Sequence, residues 1–365
     1  MLLPSPIIVI MQGVPAWNHW RQMQAPDTAA PQLREALLIR AKLSRIDLSQ
    51  IDCCISNFSG ATLSHADLSQ AIFYTANLSQ ARLDCARLPG VDMREANLRD
   101  ASLVKVQGQH TNFAMADLQG SQLREAILTD SNFCEASLVE VDGCMAQLSQ
   151  CNLSYTNLKN SLFYTADLQH ANLRQANLTA ADFREANLTQ ALLEDINGCQ
   201  TSFARAILDR AVLTGALLKS ANFTMANLQL TILNQANLSH AQLKNAILTE
   251  ASLVGATLDR AQLQNSNMAQ TDCRNARFRE ANLDNVNLQG ADLSGANLSK
   301  AGLLGSCLRD VNLSNADLSY VDLRQTELTG ADLSQAILTG TQLPQGYQCT
   351  KSQVSNTGVY RWQAA

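Results

Sequence analysis

The chain has 365 residues, of which 46% are hydrophobic and 16% charged, with a formal net charge of −5 and an isoelectric point near 5.6. Basic and acidic residues are interspersed and form no blocks, which excludes a field strong enough to attract nucleic acid or anionic lipid. Ten cysteines without a CxxC pair or regular spacing exclude a disulfide framework and read as reduced, small apolar side chains.

In chain order, residues 1–30 read as a leader and cap. Its opening MLLPSPIIVIMQ has no basic n-region, and prolines leave only Ile7 to Met11 as an unbroken apolar run, too short for a signal h-region or a membrane span. A cytoplasmic location is the resulting expectation. Further on, Pro15 sits in the first turn of an expected short helix. Trp17 and Trp20, three apart, with Met23 following, are expected to line its inner face and cover the open end of what comes next.

From residue 31 to 345 one period governs the sequence. Leu, Phe or Met recurs every fifth position from Leu33 to Leu343, giving (343 − 33)/5 + 1 = 63 pentads without insertion or deletion. The central positions hold 47 Leu, 9 Phe, 2 Met, 2 Cys and 3 Gly, and never a charge. Two positions earlier, 39 of 63 residues are Ala, and the others are Ser, Thr, Val, Ile, Cys or, at the first pentad, Pro31. The residue between is often Asn or Asp, and the two after the centre are mixed polar. An α-helix would scatter such leucines, because five residues rotate the chain by roughly 140° beyond a full turn. A straight strand would alternate them between faces. The chain therefore turns once per pentad, with the small and large residues pointing inward from a short extended segment and the last two residues making the corner. Ten of the seventeen glycines occupy the last corner position, where a turn can demand positive φ.

The phenylalanines suggest the number of sides. Phe113 and Phe133 are twenty apart, as are Phe163, Phe183, Phe203 and Phe223. Four pentads per coil would stack these rings at a separation of about 4.8 Å. The 63 pentads then make about 16 coils, a rod on the order of 75 Å long. Proline placement agrees: Pro89 alone is internal to the array, at a corner beside Gly90, where a missing donor matters least.

The pattern breaks at Gly108, Gly143 and Gly198, and at Cys53 and Cys273. Val106, Val141, Ile196 and Ile51 stand two residues before the three glycines and Cys53. Either the two inward positions exchange volume or the breaks are functional bulges. Cys273 follows Thr271, so the exchange is imperfect. Histidines 19, 65, 110, 170 and 240 have no second His or Cys at metal-ligand spacing, and no nucleophile, phosphate-loop or dinucleotide motif stands in a suitable context. No metal, no cofactor and no catalytic residue is expected. Tyr74, Tyr155, Tyr164 and Tyr320 point outward and are either partner anchors or incidental. Arg274, Arg277 and Arg279 form the densest basic group, with Asp272 and Glu280 beside them. The tail, 346–365, reads as a closing segment with an Asn356-Thr357-Gly358 turn and no helix signal.

Runs such as Ala281-Asn282-Leu283 and Gly290-Ala291-Asp292-Leu293-Ser294-Gly295-Ala296-Asn297-Leu298 closely resemble the pentapeptide-repeat protein family. The stretch Gly13 to Arg21 looks like the helical leader of its cyanobacterial-type members. The resemblance implies an all-β fold, a right-handed quadrilateral β-helix with the central Leu/Phe and the preceding Ala inside, and handedness rests on that resemblance alone. Some members protect DNA gyrase by imitating DNA. These are acidic rods that dimerise through a C-terminal helix, and the interleaved charges and the tail depart from both features. The expectation is a non-catalytic interaction or scaffold module for an unidentified protein partner, with neither nucleic acid nor membrane, as a monomer or end-to-end dimer. The alternative is a DNA-mimicking modulator of a type II topoisomerase.

Overall fold

The structure is a computed structural model that describes residues 5–24, 31–345, 347–351 and 360–364. The chain divides into two compact units, Met1–Asp182 and Phe183–Ala365. Both are built from the same local device, which follows from the five positions of the pentad: small, bridging, central and two corner residues.

In the first unit, parallel bridges join residues twenty apart at the bridging position, as in Gln32↔Asp52, Leu37↔Asn57 and Asn132↔Asn152. The second unit repeats this with Ser202↔Asn222, Leu217↔Asn237 and Asp292↔Asn312. One circuit therefore takes four pentads, and the chain makes four corners before meeting itself. Each corner is a β-turn closed by the small residue's amide on the preceding central carbonyl, such as Ala36 N–H to Leu33 O at 3.1 Å and Ala206 to Phe203 at 3.0 Å. Except at Gln325, its third residue has positive φ from Glu35 to Gly340, as type II turns require. Glycine serves at positions such as Gly90 (φ 68°), but Glu35, Gln190, His240 and Tyr320 adopt the same region with φ between 57° and 62°. A non-glycine residue there costs about 1–2 kcal/mol. What offsets it is continuity of the backbone lattice: the corner residue's amide reaches the next coil, as Glu35 N–H does to Cys54 O at 3.0 Å.

The lattice accounts for four of the five amides. The central residue donates nineteen positions ahead (Leu33 to Asp52 O, 2.7 Å), and the bridging residue donates twenty-one back (Asn57 to Ala36 O, 2.8 Å). The fifth amide, on the first corner residue, has no backbone partner in this scheme. A bridging Asn or Asp supplies one from its own side chain: Ser59 N–H donates to Asn57 Oδ1 at 3.0 Å and Ser294 N–H to Asp292 Oδ1 at 2.9 Å. This Asx turn is the physical reason for the Asn/Asp preference at that position. Pro89 occupies a first corner position, so the donor it lacks is the one the lattice does not use.

Central residues from Leu33 to Leu333 are buried, whereas Leu338 and Leu343 are half-buried. At several positions where Ser or Thr replaces the small Ala, its hydroxyl donates to a nearby carbonyl, as Thr231 Oγ1 does to Leu228 O at 2.7 Å, whereas the buried hydroxyls of Ser121 and Ser266 find no partner among the described residues. Two helices precede the array, α1 (Pro6–Ile10) and α2 (Val14–Gln22), and an antiparallel pair follows it, β1 (Tyr347–Lys351) with β2 (Tyr360–Ala364), in register Cys349↔Trp362. Helix α1 and the paired tail strands were not foreseen, because neither carries the pentad period. The expected Asn356-Thr357-Gly358 turn lies outside the described residues.

Candidate functional site

The interior is filled by the ladders, and its breaks are filled by neighbours. Phe113 and Phe133 stack with ring centroids 4.8 Å apart and planes 10° apart. Phe203 stacks on Phe183 at 5.6 Å and on Phe223 at 5.0 Å. Phe163 is fully buried, and Phe58 meets Phe73 edge-on at 5.5 Å. A methyl added at Gly143 would stand 2.3 Å from Phe163 Cε1, so the ring of the following coil occupies that space. At Gly108 the space is taken by Leu128, Thr111 and Leu88, and at Gly198 by Leu218, with Ile196 Cδ1 3.4 Å away. The volume comes chiefly from the central residue twenty positions on, and the β-branched residue two before each glycine contributes less than its spacing implies.

Cys53 and Cys273 are fully buried, and burial pushes both thiols up, that of Cys273 to about 12. Burial likewise raises Cys151 to about 12. These thiols are apolar filling and poor nucleophiles, since the thiolate is the reactive form.

At the N-terminal end, Trp17 is fully buried and its indole N–H donates to Asp47 O at 2.6 Å. Asn18 Oδ1 accepts the Asp47 amide at 2.9 Å, and Arg21 donates to Ser49 O at 2.7 Å. Elsewhere in the array such amides and carbonyls pair with the backbone of the preceding coil, so side chains of α2 here do what a coil's backbone does. Trp20 packs against Trp17 with centroids 5.2 Å apart. Met23 departs from expectation: as the C-cap of α2, just past its last residue Gln22, it is 73% exposed.

On the outside, charges are spent largely on one another. Arg94 grips Asp92 with two nitrogens at 2.9 and 2.7 Å, and Arg274 and Arg324 hold Asp272 and Asp322 in the same way. The Arg324 hydrogen bonds hold the Asp322 carboxyl at about 2. Further pairs cross from coil to coil, including Arg99–Asp117 at 3.0 Å and Arg124–Asp142 at 3.2 Å. The basic group Arg274, Arg277 and Arg279 is not one patch. Arg274 belongs to a different pentad from the other two, is tied to Asp272, and so lies at another corner, while Arg277 is tied to Asp259 at 2.6 Å. Tyr74, Tyr155, Tyr164 and Tyr320 are all exposed, and Tyr74 donates to Glu95 at 3.2 Å beneath the Arg94 guanidinium.

Residues that a linear scan cannot assemble meet at one corner of the Phe183–Ala365 unit. A cleft of about 330 Å³ there is lined by Lys219, Asn237, Ser239, His240, Asp259, Arg260, Arg279 and Glu280. A neighbouring cleft shares His240 and Arg260 and adds Lys244. These residues lie in columns of twenty, which is the signal that locates them. Among the described residues, no group of three His, Cys, Asp or Glu could hold a metal ion, and no helix is long and apolar enough to cross a membrane.

A search of curated proteins returns no match. Among solved structures, the chain is similar to HetL, a pentapeptide repeat protein involved in heterocyst differentiation regulation from the cyanobacterium Nostoc sp. strain PCC 7120, at 32% identity over 65% of this chain and 91% of that one, with a TM-score of 0.27. It is also similar to Rfr23 from the cyanobacterium Cyanothece 51142, at 30% identity over 28% and 63% of the two chains, with a TM-score of 0.21. The full-length plasmid-mediated fluoroquinolone resistance protein QnrB1 matches at 17% identity over 67% and 90%, with a TM-score of 0.20. The sequence profile described as Pentapeptide repeats matches residues 32–143, 146–235, 236–299 and 306–343. With nearly all of the periodic region covered, the chain belongs to the pentapeptide-repeat family, whose fold is a right-handed β-helix.

Proposed function

We propose that this chain is a non-catalytic protein-interaction module, a regulatory or scaffolding surface for a protein partner in the cytoplasm. The observation that carries the reading is the division of labour within the pentad. Inward positions are uniformly filled and chemically silent, while bridging and corner positions are outward and varied in both units. Variation confined to a regular surface suits recognition, because repeats hold side chains at a fixed spacing of about 4.8 Å. Pentapeptide-repeat proteins are generally non-catalytic. The finer architecture belongs to the same proposal: residues 31–345 as about 16 four-sided coils, 1–30 as the cap of the first coil, and 346–365 as the closing segment, in a monomer or end-to-end dimer.

Crosslinking from native cells tests it. A partner recovered reproducibly, through sites on the outer positions, is the expected result, and the absence of any reproducible partner refutes it. DNA mimicry needs unpaired acidic groups along the surface, and the arginine pairs at Asp92, Asp117, Asp142 and Asp272 work against that alternative. A supercoiling assay with gyrase at micromolar protein is expected to show neither inhibition nor protection from a quinolone.

A further inference from the structure

The corner of the Phe183–Ala365 unit that carries Lys219 and Arg279 holds cations without counterions on a chain whose formal net charge is −5. Its two carboxylates are already committed. Asp259 takes the Arg277 guanidinium on Oδ2 at 2.6 Å and the Arg279 backbone amide on Oδ1 at 3.1 Å. Glu280 takes Arg260 Nε at 2.8 Å, and its carboxyl is held below the usual range by that hydrogen bond and by the charges of Arg260, Lys300 and Arg279. Among the described residues, Lys219, Lys244 and the Arg279 guanidinium have no carboxylate in ion-pair reach. All three are exposed, and two of them line the cleft. Between them the Ser239 hydroxyl donates to Asn237 Oδ1 at 2.7 Å, and Asp259, in the same column, has its charge taken by Arg277.

The spacing selects the shape of the ligand. Lys219, Ser239, Asp259 and Arg279 occupy the same pentad position in successive coils, so Lys219 and Arg279 are three coils apart, about 14 Å at the usual strand separation. An extended polypeptide advances about 3.4 Å per residue, so side chains four apart on one face also span about 14 Å. The geometry points to this corner as the docking strip for an extended acidic protein segment that places two carboxylates four residues apart on Lys219 and Arg279. Lys244 lies beside its path, across the shared wall of His240 and Arg260. This rests on the protein-interaction reading above and names the chemistry of the partner. A local cationic strip on a net acidic molecule also sets the orientation of such a segment. A nucleic acid fits less well: three unpaired cations are few for a polyanion that the net charge of the chain opposes.

The test is fluorescence anisotropy with the full-length protein and a labelled ten-residue peptide bearing Glu at positions 3 and 7 in a Ser/Thr/Val background. Binding is expected to weaken at least about tenfold in the double variant Lys219→Glu/Arg279→Glu. The control Lys42→Glu/Lys159→Glu, with the same change in net charge on the other unit, is expected to bind as the parent does. Peptides with Gln at both positions, or with Glu at positions 3 and 6, which face opposite ways in an extended chain, are expected to bind about tenfold more weakly. Equal loss in the two double variants, retention in Lys219→Glu/Arg279→Glu, or tighter binding of a twelve-nucleotide oligothymidylate overturns the proposal. Matching thermal melts keep a folding defect from imitating success. A native partner crosslinked equally by the parent and by Lys219→Glu/Arg279→Glu would overturn this strip while leaving the interaction module standing.

Discussion

The glycine at position 143 offers a sharp test of how the interior is filled. Its backbone carries no positive φ, so substitution by alanine is opposed by space alone. The new methyl would stand 2.3, 2.6 and 3.1 Å from Cε1, Cδ1 and Cζ of Phe163, against an ordinary carbon–carbon contact of about 3.5–4.0 Å. Phe163 is fully buried, so its ring has no solvent side to move into. Overpacking of this kind costs about 1–3 kcal/mol, and the entropy lost from the unfolded chain on replacing glycine returns about 0.4–1 kcal/mol. Gly143→Ala is therefore expected to destabilise its surroundings by about 1–2 kcal/mol. Phe163→Leu alone should also destabilise, because it empties the space that glycine leaves. Combined, the two changes repair each other, with a coupling of about 1–2 kcal/mol in the stabilising direction. Amide hydrogen exchange at Gly143, Ala146 and Leu148 is the suitable readout, since repeat proteins open locally and a global midpoint would dilute the effect. Additive losses in the double variant, or an alanine variant as stable as the parent, would show that the following coil does not fill the gap. The same reasoning ranks Gly198→Ala as milder, because its methyl meets the mobile end of Leu218 at 2.9 Å.

Asn152 tests the Asx device. Its Oδ1 accepts from the Ser154 amide at 3.2 Å and hydroxyl at 2.7 Å, and its Nδ2 donates to Asn132 at 3.1 Å. Asn152→Ala is expected to cost about 1–3 kcal/mol and to speed exchange of the Ser154 amide, whereas Asn152→Asp keeps that amide protected. Thiol labelling at pH 8 followed by mass spectrometry is expected to modify the part-exposed Cys85 and Cys199 and to spare Cys53, Cys151 and Cys273 until the chain unfolds. For Asp322, lowered from 3.8 to about 2 by Arg324, the folded state binds its proton more weakly than the unfolded state. Its contribution to stability is thus complete above pH 3.8 and lost as pH falls toward about 2. A carboxyl titration by NMR should show the low midpoint, and Arg324→Gln should return it toward 3.8.

Legibility in the sequence followed the range of the interaction. The inward positions were plain, because a five-residue period with leucine or phenylalanine at the centre is a local pattern, and the rings of Phe203 and Phe223 lie where a spacing of twenty puts them. The role of the bridging Asn and Asp was hidden, since the amide they satisfy becomes an orphan only once the other four are assigned to neighbouring coils. The glycine centres were legible only as breaks, open between volume exchange within the pentad and a functional bulge. Val141 is two residues away in sequence, but Phe163, one coil away, meets the space at Gly143. Glycine marked only some of the corners, because the inter-coil hydrogen bond at Glu35 or Gln190 holds positive φ without it.

The same geometry explains why proximity in sequence misleads about the surface. Arg274, Arg277 and Arg279 fall within six residues, yet the corner between two pentads separates Arg274 from the others, and its charge is absorbed by Asp272. Lys219 and Arg279 are sixty residues apart and share a column. In a coil of four pentads, residue numbers that agree modulo twenty are neighbours along one face, and those that differ by five sit around a corner. A functional patch on such a surface is therefore built from substitutions in successive coils. A partner that reads it responds to charge placed at intervals of twenty residues, the periodicity that the paired variants at Lys219 and Arg279 interrogate.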